Sequence, residues 1–146
     1  MSARMLSVAS AFPEYHADVA MATRHAQMCS CESEDQATKV GKLYRRTGVK
    51  LRGSVLIESV VGGEALQSFY PSLQSEEPRG PTMMQRNERF AQEAPRIACR
   101  AAEEALSKGG VQPGEITHVV TVTCTGFTAP GLDIALIQRL GLPATV

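Results

Sequence analysis

Net charge is the first thing this sequence lacks. Fifteen lysines and arginines balance fifteen aspartates and glutamates, which removes the basic footprint of a dedicated nucleic-acid binder. No hydrophobic run is long enough to span a bilayer. The four cysteines, Cys29, Cys31, Cys99 and Cys124, show no Cys-x-x-Cys spacing and form no zinc-type array with the three histidines. Disulfide scaffolds and structural metal sites are therefore disfavoured, and a reduced, cytoplasmic protein is expected. Repeats and low-complexity segments are absent too. An apolar run over 5–12 follows Arg4, but it is short, holds Ser7 and Ser10 and meets Pro13 and Glu14, which fits an edge strand better than a secretory leader.

What is present is enough for one core: 146 residues, 43% of them hydrophobic. The most informative stretch is 116–142. Its first part, 116–124, places a β-branched residue at nearly every second position and no charge intervenes, and so predicts a strand buried on both faces. Gly126 then permits a tight turn, Pro130 suits the first turn of a helix, and Leu132, Leu136 and Leu140 recur at helical spacing until Gly141 ends it. The carboxyl end of a parallel strand is where an α/β enzyme binds its ligands.

Taken in order, residues 5–11 predict a first strand and Phe12-Pro13-Glu14-Tyr15 the turn out of it. Asp18 caps a predicted helix through Met28 that buries Val19, Ala22, Ala26 and Cys29. A second helix, 34–46, has acids at its start, bases at its end and Gly48 beyond. Lys39, Lys42 and Arg46 are spaced by three and four residues and share one face of it; on spacing alone that is a solvated face. Residues 61–81 are rich in Gly, Ser and charge, with Pro71, Pro78 and Pro81, and predict a long surface linker without helix or strand. Thr82 caps a long predicted helix to Lys108, kinked or restarted at Pro95, with Phe90, Ala94, Ile97, Ala98, Ala101 and Ala105 on one side. Ala144, Thr145 and Val146 are expected to lead into a further strand.

Two segments, VTCTGFTAPGLD and LIQRLGLPATV, together resemble the chalcone and stilbene synthase family, the type III polyketide synthases, in a strand, a Thr/Cys turn, Pro-Gly and a helix ending Leu-Gly-Leu. TKVGKLYRRTGVKLRG and RGPTMMQRNERF support this more weakly, the latter in a form closer to microbial members. The resemblance implies a thiolase-like layered αβαβα fold, of which 1–146 is an incomplete N-terminal domain. It implies a homodimeric acyltransferase that extends an acyl-CoA starter with malonyl-CoA by decarboxylative Claisen condensation, with coenzyme A thioesters as substrates and no separate cofactor, nucleic acid or membrane partner. By resemblance, Lys39, Lys42 and Arg46 hold the coenzyme A phosphates, Cys124 and Thr125 line the substrate pocket, and Phe127, Thr128, Ala129 and Pro130 form a loop that crosses the dimer. In chalcone-forming plant relatives the residue at Ala129 is Met.

The chemistry of this family needs a thiolate, strongly nucleophilic and able to carry a reactive thioester. The resemblance places that cysteine about ten residues past Val146 and the activating His and Asn later still, so none of the catalytic residues is expected within 1–146. His118 reads as a structural histidine in a strand, and Cys29 and Cys99 as small buried hydrophobes in helices. A ketoacyl-ACP synthase III, fed by a carrier protein, is the alternative enzyme; a short non-catalytic protein that binds coenzyme A or pairs with a related subunit is the alternative outside enzymes.

Overall fold

A computed structural model describes residues 3–76 and 80–146; Pro78 of the expected linker and Arg79 of the motif above lie outside them. The chain divides into two compact units, Phe12–Thr82 and a second made of residues 3–11 with Met83–Val146.

In the first unit, β1 (His16–Asp18) leads directly into α1 (Val19–Ser30), then come α2 (Glu34–Arg46), β2 (Leu51–Gly53), β3 (Ser59–Val61) and β4 (Glu64–Leu66). Asp18 caps α1 as predicted: it accepts the Met21 N–H at 2.7 Å, filling one of the donors a helix start leaves open. The α2 bounds also match, with Ser33 accepting the Gln36 N–H at 3.3 Å. β1 pairs antiparallel with β2, Ala17 opposite Arg52. β3 and β4 form a hairpin closed by Gly62 and Gly63, Val61 opposite Glu64; their φ values of 59° and 81° are the left-handed angles a two-residue primed turn demands. This corrects the expected linker: strand structure reaches to Leu66, because a Gly-Gly pair between β-formers closes a hairpin whatever follows it. Ala17, Met21, Ala22, Ile57 and Ala65 make the core, with Tyr15 and Tyr44 against it. The hairpin side is tied to α1 by Arg24–Glu64 at 2.7 Å and by His25 Nε2, 2.8 Å from the Ala65 carbonyl.

The second unit holds α3 (Met83–Gly109), a short 3₁₀ turn (Pro113–Glu115) and α4 (Leu132–Leu140). Pro95 sits inside α3 without restarting it, the helix giving up only the bond to the Ala91 carbonyl. α4 begins later than expected: Gly131 is its N-cap with an extended backbone, so Pro130 stands before the helix rather than in its first turn. Gly141 ends it, as the sequence predicts. Ser7 reaches α3, its hydroxyl donating to the Ala105 carbonyl at 2.7 Å.

Three strand expectations are corrected here. Segments 5–11 and 116–124 run without helix or ladder, and among the described residues neither is hydrogen-bonded into a sheet. Far from being buried on both faces, Val120 and Val122 are 86% and 88% exposed. A strand is completed by its neighbours, and alternation alone supplies none. The last residues form a turn, the Val146 N–H donating to Pro143 at 3.3 Å. Segments 3–11 and 116–119, α3 and α4 instead surround a hollow of about 550 Å³ lined by Leu6, Leu106, Val111, Ile116, Leu136 and Leu140 among others.

Candidate functional site

The cationic stripe lies on α2. One turn of helix separates residues three or four apart, so Asp35, Lys39, Lys42 and Arg46 line up along the axis. Asp35 Oδ2 stands 2.6 Å from Lys39 Nζ, both well exposed. Such a pair contributes under about 1 kcal/mol, a hold that a phosphate could displace. Lys42 and Arg46 are exposed as well. The opposite side of α2 is packed: Gly41 is buried beside Thr23 and Gln27 of α1, and the Gln27 side-chain amide donates to the Ala37 carbonyl at 2.8 Å. The stripe is therefore presented to solvent by a helix fixed from behind.

The turn after 116–123 belongs to the second unit. Thr123 Oγ1 donates to the Gly126 carbonyl at 2.8 Å, and the Phe127 N–H donates to Asn87 Oδ1 at 3.4 Å. A Cβ on Gly126 would come within 2.1 Å of the Phe90 ring, so only glycine lets the turn pass α3 at this height. Cys124, Thr125, Phe127, Ala129 and Pro130 are exposed and Thr128 half-buried. The residues expected to line a pocket thus stand together on one turn. Asn87 was missed in the sequence, although it lies three residues before Phe90 on the same helix side, where a polar residue signals a bond to neighbouring backbone.

Neither Cys29, half-buried rather than buried as expected, nor the buried Cys99 suits a nucleophile. Burial pushes Cys29 up from its ordinary value, and burial likewise raises Cys99, with Glu103 adding to the shift and Arg139 opposing it. Cys29 Sγ donates to the Tyr70 carbonyl at 3.7 Å, beside a cavity of about 500 Å³ that His25, Tyr44, Arg52, Ile57 and Tyr70 help to line. His118 is exposed, its Nδ1 3.0 Å from Thr117 Oγ1, so it has a partner but stands outside any strand. Among the described residues no helix is long and apolar enough to cross a membrane.

Comparison with known proteins decides the family. The model for the N-terminal domain of chalcone and stilbene synthases matches residues 1–146, the whole chain. The chain belongs to that family. Among curated relatives, this synthase domain is 30% identical to curcumin synthase 1 of Curcuma longa over 80% of its own length and 28% of the relative's. It is 32% identical to a type III polyketide synthase of Penicillium soppii over 74% of its length and 24% of the relative's. The domain thus spans about a quarter of the curated relatives it matches. In fold it is similar to the PKS-I structure from the brown alga Ectocarpus siliculosus, with a TM-score of 0.75 and 23% identity over 97% of this chain and 37% of that one. A fungal type III polyketide synthase structure gives 0.72 and 24%, over 97% and 34%. The fold is the N-terminal α/β part of the thiolase-like type III polyketide synthase fold, and these matches favour that family over a ketoacyl-ACP synthase III.

Proposed function

We propose that the chain is the N-terminal portion of a type III polyketide synthase, a homodimeric cytoplasmic enzyme that condenses an acyl-CoA starter with malonyl-CoA through decarboxylative Claisen chemistry. The single observation that carries this reading is the match of the chalcone and stilbene synthase model to the whole chain. In it, Lys39, Lys42 and Arg46 hold coenzyme A phosphates, a role favoured by three cations on one solvent-facing helix stripe with their helix packed from behind. The nucleophilic thiolate comes from a cysteine other than Cys29 or Cys99, whose raised ionisation leaves little thiolate at neutral pH. Cys124 and Thr125 line the pocket, and Phe127, Thr128, Ala129 and Pro130 cross the dimer.

Replacing Lys39, Lys42 and Arg46 together by Ala in the complete enzyme should raise the KM for acyl-CoA about tenfold with the fold intact, and added salt should reproduce part of the loss. Unchanged coenzyme A affinity would return the stripe to a merely solvated face. A second test concerns chain length. Ala129 leaves space that Met would fill, so Ala129→Met should reduce activity selectively with long acyl-CoA starters, by about tenfold for a loss of about 1.4 kcal/mol in transition-state binding. An unaltered length profile, with dimerisation preserved, would remove Ala129 from the pocket wall; exposed Phe127 is the neighbour able to occupy that space instead.

A further inference from the structure

The turn that carries the chain from α2 into β2 is held by one side chain. Thr47 Oγ1 donates to the Tyr44 carbonyl at 2.8 Å and accepts from the Val49 N–H at 3.3 Å and from Arg52 Nη2 at 2.9 Å, so its donor and both acceptor positions are occupied. Arg52 Nη1 donates to the Val49 carbonyl at 3.2 Å. The Arg52 guanidinium also lies 4.6 Å from the centroid of the Tyr44 ring, within cation–π range. Its backbone is anchored from the other side, since Arg52 is the middle residue of β2 and stands opposite Ala17 of β1. One residue thus links a strand beside the core to the last turn of the cationic helix.

Arg52 is not itself part of the stripe. Tyr44 follows Lys42 by two residues, about 200° around a helix, and it packs on the core. The guanidinium over that ring therefore lies behind α2, while Lys42 and Arg46 face forward. Arg46 immediately precedes Thr47, and Lys50 immediately follows Val49, so these two cations flank the turn that Arg52 bonds.

We propose that Arg52 is a positioning residue for anion recognition by α2: stacked on Tyr44 and forked onto Thr47 and Val49, it fixes the helix end and turn that present Arg46 and Lys50 to the phosphates of a coenzyme A thioester. The inference rests on the coenzyme A reading of the stripe. The fork and the planar stack are properties of a guanidinium that an ammonium lacks, and this separates positioning from simple charge.

The experiment compares Arg52→Gln, Arg52→Lys and Lys42→Ala/Arg46→Ala in the complete protein, each titrated with an acyl-CoA and with the matching acyl-pantetheine thioester, which carries no nucleotide phosphates. Both Arg52 variants should weaken acyl-CoA binding about fivefold, leave acyl-pantetheine unchanged, and speed hydrogen exchange at the Val49 N–H about tenfold. Parent-like affinity in Arg52→Lys would show that charge suffices and overturn the positioning role. An equal loss for both thioesters would also overturn it, as a general structural defect. If the Arg52 variants bind acyl-CoA normally while Lys42→Ala/Arg46→Ala does not, the inference fails and the reading of the stripe stands. Should Lys42→Ala/Arg46→Ala itself bind acyl-CoA normally, that reading falls and takes the inference with it.

Discussion

Residues Phe12–Thr82 bury five apolar side chains in one cluster, whereas the unit formed by 3–11 with Met83–Val146 buries a single one among the described residues. In the first, Ala17, Met21, Ala22, Ile57 and Ala65 are all under a tenth exposed and share one cluster. In the second, Cys99 is the buried residue among those described, while Met5, Val8, Val120, Val122 and Phe127 are largely exposed. The difference lies in what closes each unit. A short β1–β2 ladder, one hairpin and helix caps complete the first between His16 and Leu66, but the extended segments of the second have no partner strand among the described residues. Such edges associate with whatever strand is offered.

The largest expected effect tests that contrast directly. Met21→Ala or Ile57→Ala should cost about 2–4 kcal/mol in urea unfolding, as core truncations do, while Val120→Ala and Val122→Ala should stay within about 0.5 kcal/mol. A loss at Val122 equal to that at Met21 would mean that this face is covered in solution. Conversely, Lys at Val120 and Val122 should reduce self-association of the 146-residue chain in light scattering.

A smaller effect probes a tight place in the second unit. Gly126→Ala should cost about 1–3 kcal/mol by driving its methyl into Phe90, and Phe90→Leu should recover part of that in a double-mutant cycle. Additive losses would show that the turn already stands clear of α3.

Smallest is the response of the thiols to pH. Both Cys29 and Cys99 hold their protons above the ordinary value of 9.0 in the native state, so over that interval the folded chain binds more protons than the unfolded one. Stability should therefore be complete below pH 9, then decline as pH rises through the raised native values, and Cys99→Ala should flatten the decline. Native alkylation should reach exposed Cys124 first; equal rates at all four cysteines would contradict the burial of Cys99.

How legible each unit was in the sequence follows the same division. The bounds of α2 and the cap of α1 are set by side chains within a few residues of the backbone they satisfy, so Asp18, Ser33 and the charge gradient from Glu34 to Arg46 could be read locally. The Gly62-Gly63 hairpin was equally local, but the prolines after it drew the whole stretch into one linker. Segments 5–11 and 116–124 carry the right alternation for strands, yet a ladder depends on distant chain that periodicity cannot supply. In the candidate site, spacing revealed the stripe of Lys39, Lys42 and Arg46. It could not reveal that Arg52 reaches back over Tyr44, because that contact exists only once β2 has paired with β1.

Ser7 and Ala105, joined by a hydrogen bond, are 98 residues apart, and the whole of Phe12–Thr82 is strung between their segments. On a ribosome adding roughly 5–20 residues per second, the Phe12–Thr82 unit emerges with every strand and helix it needs and can close at once. Residues 3–11, made before that unit, must wait several seconds for α3, whose Ala105 carbonyl accepts from Ser7. A segment made before Phe12–Thr82 is thus fixed only after that unit is complete.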